Sequence, residues 1–332
     1  MESLLLITIF ISFFCTFLVV PFWIQKAHSR NLVGKDMQKT EKPLVAEGGG
    51  LIVLGGFTIG VLLYIALNTF IFKNAIISTF LFSLLCVLFI CSFVGILDDL
   101  LGWKKGLSKR MRIIIVLFAS IPLMVINAGN SSVFLPLFGE INLGLLYPLL
   151  FIPIGIVGAT TTYNFLAGYN GLEASQGIII LTALAIVTFK TGNSWLSVIA
   201  LCMVSALLAF YIFNKYPAKV FPGDILTYSV GALIATIAIL GNIEKIAILF
   251  FIPYIIETIL KLRGKLKIES FAKVNADGSL EMPEKKIHGL EHLAIKILKK
   301  IKPSKKVYEK DVVYLINAFQ IVIILLVFAF NF

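Results

Sequence analysis

"SFVGILDDLLGW", residues 92–103, sets Asp98 and Asp99 side by side where a long apolar run ends. Adjacent carboxylates repel each other and resist leaving water. Residues 75–97 before them carry no charge at all. The stretch reads as a helix that crosses a bilayer and surfaces at the acidic pair, because about 20 predominantly apolar residues suffice to span.

The rest of the chain has the same character. Its 332 residues are 59% apolar and only 14% charged, against about 25% charged in a typical soluble domain. Ten segments are long and apolar enough: roughly 4–24, 48–72, 75–97, 113–128, 141–163, 172–189, 194–213, 225–242, 244–262 and 312–331. The expected fold is an all-α integral membrane protein, a bundle of about ten transmembrane helices. Roughly residues 1–262 form the transmembrane core, 263–311 a cytoplasmic loop and 312–332 the last helix. "MESLLLITIF" lacks a basic n-region and a small-residue cleavage site, so it reads as the first retained helix. Cys15, Cys86, Cys91 and Cys202 all fall inside apolar runs without metal-ligand spacing, and read as small core residues.

The formal charge of +11 suggests a nucleic-acid binder until its distribution is considered. With ten spans, 26 of the 29 Lys and Arg fall in loops on one side; only Lys73, Lys190 and Lys245 fall on the other. That asymmetry marks the basic side as cytoplasmic, puts both termini outside and makes the partner an anionic lipid surface, with no role for nucleic acid.

The informative polar residues gather on the same side. "GKDMQKTEKPLVAEGGG" supplies Lys35, Asp36, Lys39 and Glu47; "GWKKGLSKRMR" follows the Asp pair; "TTYNFLAGYNGLEASQG" holds Asn164, Asn170 and Glu173; "NKYPAKVFPGDILTY" ends on Asp224. Several have plain structural readings. Asp224 suits a helix cap, Asn170-Gly171 a turn, and Gly48 to Gly50 close helix packing. The adjacent acids are harder to explain structurally. Carboxylates with amide oxygens suit a hard cation such as Mg²⁺, and nearby cations suit phosphates.

At these residues the chain resembles the polyprenyl-phosphate N-acetylhexosamine-1-phosphate transferases. The motifs that carry the likeness are "GKDMQK", "FVGILDD", "YNFLAGYNGLEA" and "NKYPAKVFPGD", in that order. "NFLAGYNGLEA" with "YPAKVFPGD" is most similar to the UDP-GlcNAc–dolichyl-phosphate GlcNAc-1-phosphotransferase branch of eukaryotes and archaea. The bacterial peptidoglycan-precursor branch has a run of adjacent histidines in its last cytoplasmic loop, where this chain has only His288 and His292.

The resemblance implies an enzyme that moves GlcNAc-1-phosphate from UDP-GlcNAc to dolichyl or another polyprenyl phosphate, giving lipid-PP-GlcNAc and UMP. That is the first step of lipid-linked oligosaccharide assembly for protein N-glycosylation. It implies Mg²⁺, with Mn²⁺ as a substitute, held by Asp224 and Asn164. Asp98 and Asp99 would be the catalytic pair, serving the acceptor phosphate, with one of them a proton acceptor or orienter rather than a covalent nucleophile. Asn170 would read the uracil edge and Phe221 stack on its ring. Lys109, Arg110 or Arg112 would meet the phosphates, and Lys35, Asp36, Lys39, Glu47 and Glu173 would complete the substrate site. A second Asn common in the family, three residues before Asn164, is Thr161 here, which is given no metal role. The membrane would be the cell membrane in an archaeon and the endoplasmic reticulum in a eukaryote; a homodimer is allowed. The alternatives are a transferase of the same family using another UDP-sugar or undecaprenyl phosphate, or a membrane transporter. Transporter sites lie near the bilayer midplane, whereas only Glu257 falls well within a span here.

The long loop between Lys261 and Asp311 reads as a small appendage. "FAKVNADGSLEM" suits a hairpin turning at "NADG". In "EKKIHGLEHLAIKILKKI", Ile287, Leu290, Ala294, Ile297, Leu298 and Ile301 share one face opposite a Lys-rich one, the pattern of an amphipathic helix lying in the membrane interface. His288 and His292 are expected at the surface.

Overall fold

A computed structural model describes residues 2–73, 76–101, 106–135, 139–284 and 286–332. Trp103, Lys104 and Lys105 of the stretches quoted above lie outside them. After a helical turn at Glu2–Leu5 comes α1 (Ile7–Ser29), a small ribbon of β1 (Val33–Lys35) and β2 (Leu44–Ala46), α2 (Gly50–Ile71) and α3 (Ile76–Leu101). Next are α4 (Lys109–Ala119), α5 (Ile121–Val125), a hairpin of β3 (Ser132–Leu135) and β4 (Gly139–Asn142), and α6 (Tyr147–Phe165). The inner bundle is α7 (Leu172–Lys190), α8 (Ser194–Asn214) and α9 (Gly223–Gly241). The chain closes with α10 (Glu244–Phe250), α11 (Ile252–Arg263), β5 (Lys273–Val274), β6 (Leu280–Glu281), α12 (Leu290–Ile301) and α13 (Glu309–Asn331).

Among the described residues, eight single helices are long and apolar enough to cross a membrane: α1, α2, α3, α6, α7, α8, α9 and α13. The other two expected spans, 113–128 and 244–262, are each built from two shorter helices. The second helix of each has a proline in its first turn, Pro122 and Pro253. Proline removes an N–H and clashes with the preceding turn, so the helix ends just before it. The outer surface is apolar, with Phe22 71%, Phe70 80% and Phe330 84% exposed, as lipid-facing helices require.

The core centres on α9, the most enclosed span, which packs between α3 and α6. Gly95 of α3 allows this: a Cβ there would sit 2.4 Å from the Ile225 nitrogen. Gly231 does the same against Thr160 of α6, where a Cβ would lie 2.8 Å from the Thr160 Cα. These contacts fix the start of α9 against the end of α3.

The expected hairpin is present as β5 and β6. Helix α12 differs in orientation from the sequence pattern. It buries Leu290, Glu291, His292, Ala294 and Ile295 against the bundle and leaves Ile301 70% exposed. His288 and His292 are therefore buried, not at the surface, because the start of α12 is held against α11, where Glu257 accepts the Leu290 N–H.

Candidate active site

The polar ends of α3, α6, α7, α9 and α13 meet at one end of the bundle. Two clusters of side chains form there.

The first is built on the Asp pair. Neighbours on a helix point about 100° apart, and the two acids do different things. Asp98 Oδ1 accepts the Leu107 backbone N–H at 2.7 Å, which folds the following turn back onto it. Asp98 Oδ2 accepts from Arg112 Nη2 at 2.6 Å. Arg112 Nη1 reaches Asp224 Oδ2 at 3.3 Å, so a single guanidinium fork joins the two carboxylates. Asp99 Oδ1 instead accepts the Asp224 backbone N–H at 3.0 Å. Asp224 thus does not cap its own helix; Asp99 caps α9 from α3. Gly223, at φ +68°, permits this approach, since a Cβ would lie 2.2 Å from Asp99 Oδ2. That Oδ2 is buried without a hydrogen-bond partner, and Asn164 lies beside Asp224. Tyr228, one turn along α9, also meets Arg112.

Arg112 is thus the cation drawn into this cluster. Arg110 is exposed, and Lys109 is exposed and donates to the Leu266 carbonyl at 2.6 Å. Glu47 lies near Asp99, its carbonyl held by the Trp23 indole N–H at 2.8 Å. Burial alone pushes the Glu47 carboxyl above its ordinary value. Phe221 is half-buried on a clamped backbone: its N–H donates to the Ala46 carbonyl at 2.7 Å and its carbonyl accepts from Gly49 at 2.9 Å. Gly50 packs so closely that a Cβ would sit 2.5 Å from the Leu226 nitrogen.

The second cluster surrounds Asn170. Its side-chain amide donates to Asp36 Oδ2 at 3.0 Å and to Glu309 Oε2 at 3.4 Å, and its backbone N–H to Glu309 Oε1 at 2.7 Å. Lys39 pairs with Glu309 and with Asp36, the latter at 3.3 Å, and lies over the Tyr216 ring. Glu173 accepts the Gly168 N–H at 2.8 Å through Oε1 and leaves Oε2 buried without a partner. Lys35 is exposed on β1. Glu309, Tyr228 and Tyr169 were not singled out in the sequence. The acid at the head of the last apolar run, "VYEKDVV", was the available signal for Glu309.

Among the described residues, no three carboxylate, His or Cys side chains form a preassembled metal cage. The arrangement offers oxygen donors from Asp224, Asp99 and Asn164 with an orphaned oxygen among them, beside a fixed guanidinium. The oxygens suit a hard divalent cation, and the guanidinium suits phosphate oxygens, so the two together suit a metal-bound, phosphate-bearing ligand.

The glycosyl transferase family 4 model matches residues 81–242, the segment that carries the whole first cluster except Glu47. A protein of Saccharolobus solfataricus named putative UDP-N-acetylglucosamine–dolichyl-phosphate N-acetylglucosaminephosphotransferase is 37% identical over 88% of this chain and 88% of its own. A protein of Sulfolobus acidocaldarius with the same name is 31% identical over the same shares. A phospho-N-acetylmuramoyl-pentapeptide-transferase of Streptococcus pyogenes is 27% identical over 77% of this chain and 78% of its own. The chain belongs to glycosyl transferase family 4, the glycosyl-1-phosphate transferases that act on polyprenyl phosphates.

Proposed function

We propose that the chain transfers GlcNAc-1-phosphate from UDP-GlcNAc to a dolichyl-type polyprenyl phosphate at the cytoplasmic face of the membrane, releasing UMP. The names of the two archaeal relatives support this donor and acceptor. The observation that carries the reading is the Arg112 fork between Asp98 and Asp224, beside the buried orphan oxygen of Asp99.

An oxygen of the lipid phosphate attacks the β-phosphorus of the UDP-sugar. The bond from that phosphorus to the bridging oxygen breaks, and UMP leaves with the electron pair. Phosphoryl transfer depends mostly on positioning and charge stabilisation. Arg112 supplies a fixed cation for phosphate oxygens. A phosphate monoester already carries about −1.5 to −2 charges at pH 7, so Asp98 needs only to orient the acceptor or take its residual proton. Asp99 holds Asp224 in register. Asp224, Asn164 and Asp99 would hold Mg²⁺, which would neutralise charge on the pyrophosphate. Asn170, given the uracil edge by resemblance, is held by Asp36 and Glu309, with Lys39 paired to both acids.

The bacterial relative favours one second reading, a muramoyl-pentapeptide donor. Purified protein in lipid discs, given UDP-GlcNAc or UDP-MurNAc-pentapeptide with dolichyl phosphate, separates the two by UMP release. Preference for the muramoyl donor overturns the first reading.

A further inference from the structure

Glu257 is completely buried in α11, and the mechanism does not use it. Its Oε2 accepts the Leu290 backbone N–H at 2.5 Å, the first residue of α12. A side-chain oxygen that accepts an otherwise unpaired N–H at a helix start stabilises that helix. Lys261, one turn further along α11, lies 3.5 Å from Glu257 Oε1 and donates to Ser270 Oγ. The Tyr169 hydroxyl donates to the Ser270 carbonyl at 3.3 Å. Tyr169 directly precedes Asn170, the centre of the second cluster. Burial, then the charges of Glu291, Glu309 and Glu257, pushes the Tyr169 phenol well above its ordinary value.

The packing leaves no slack. A Cβ on Gly289 would lie 2.6 Å from Glu291 Oε2 and 3.1 Å from Glu257 Oε1, and one on Gly264 3.1 Å from His288 Nδ1. Both carboxylate oxygens of Glu291 and both ring nitrogens of His292 are buried without partners. A segment with that many unsatisfied polar groups does not stay buried on packing alone, because each costs free energy out of water.

We propose that Glu257 and Lys261 are positioning residues: they latch the last cytoplasmic segment, residues 286–301, onto the bundle and, through Ser270 and Tyr169, register it with the Asn170 cluster. The proposal rests on the donor-site reading of that cluster. Opening the latch weakens binding of the UDP-sugar and leaves the Asp98–Arg112–Asp224 chemistry intact.

The test compares Glu257→Ala, Glu257→Gln and the parent in lipid discs. Hydrogen exchange is read over residues 286–300 and over α9, and KM and kcat are measured for the UDP-sugar. Glu257→Ala is expected to raise exchange in 286–300 and KM by about 10-fold each, within the range of a lost helix cap. Exchange in α9 and kcat stay near parent values. Glu257→Gln keeps an acceptor for the Leu290 N–H and recovers most of both. Unchanged exchange in 286–300, a rise shared by α9, or raised exchange with an unchanged KM each overturns the latch. If Glu257→Ala does not fold, Gly289→Ala is read by the same measurements and the same outcomes. Raised local exchange in a chain whose parent turns over no UDP-sugar contradicts the donor reading instead, which separates the two.

Discussion

The Asp224 backbone N–H donates to Asp99 Oδ1 at 3.0 Å, while the neighbouring Asp98 pairs with Arg112 at 2.6 Å. The two adjacent acids therefore divide their work. Asp99 fixes the start of α9, and Asp98 holds the Arg112 guanidinium. Substituting each acid should separate the roles. Asp98→Asn should insert and melt like the parent, with kcat down at least about 10²-fold, the scale of a lost acid–base or electrostatic group. Asp99→Ala should lose roughly 0.5–2 kcal/mol of stability along with activity, as for a removed helix cap. Asp99→Asn keeps an oxygen acceptor and should recover the stability. Thermal melts and UMP release on all three check this; equal stability in Asp99→Ala and the parent contradicts the capping role.

Arg112 joins two carboxylates with one planar fork. A lysine keeps the charge and loses the fork. Arg112→Lys should cut kcat by at least about 10-fold, and Arg112→Ala by more, because it leaves Asp98 and Asp224 facing each other without a cation. Steady-state kinetics on both variants reads the order.

Gly223 stands at φ +68° against Asp99 Oδ2. Gly223→Ala should cost roughly 1–2 kcal/mol for the left-handed backbone alone. It should also lower activity by pushing Asp99 away from α9. Gly55 has open space where its Cβ would go, and Gly55→Ala is the control, with activity unchanged. Melting temperatures of the pair give the comparison.

Glu47 has its carboxyl pushed up by burial. A carboxyl whose folded pKa exceeds its unfolded value costs stability as pH rises through that interval. Glu47→Gln removes the cost. The variant should melt like the parent near pH 4 and above it at pH 7.5, with the gap opening as pH rises past the unfolded carboxylate range. Melts at both values check the sign, and a variant that melts lower at pH 7.5 contradicts it.

Turnover should need a divalent cation. Excess EDTA should abolish UMP release, and Mg²⁺ or Mn²⁺ should restore it. Undiminished turnover in the chelator removes the metal from the account.

Much of this site was legible from polar residues stranded at the ends of apolar runs. Asp98, Asp99 and Asp224 stand out because charge at a membrane surface has few structural uses, and Asn164 because it ends an apolar run on the same side. The choice of Arg112 over Arg110 and Lys109 was not legible, since it depends on which side of α4 turns toward α9. Glu309 was missed because its partner Asn170 lies 139 residues away, and no local pattern reports such a pairing. The ends of α4 and α10 were readable in principle: Pro122 and Pro253 each begin a new helix. Apolar run length, which suggested ten spans, is blind to them. The burial of His292 and Glu291 ran against the amphipathic pattern of α12, because the start of that helix is held against α11 by Glu257, which accepts the Leu290 N–H from 33 residues away.

The central claim is transfer of a sugar phosphate between a nucleotide and a lipid. The most direct measurement uses purified protein in lipid discs with Mg²⁺, UDP-GlcNAc and dolichyl phosphate, following UMP and the lipid product together. The expected result is UMP and a GlcNAc-pyrophosphoryl lipid in equal amounts, both abolished when the lipid phosphate is omitted. UMP release without the lipid, or no turnover with any UDP-sugar, would contradict it.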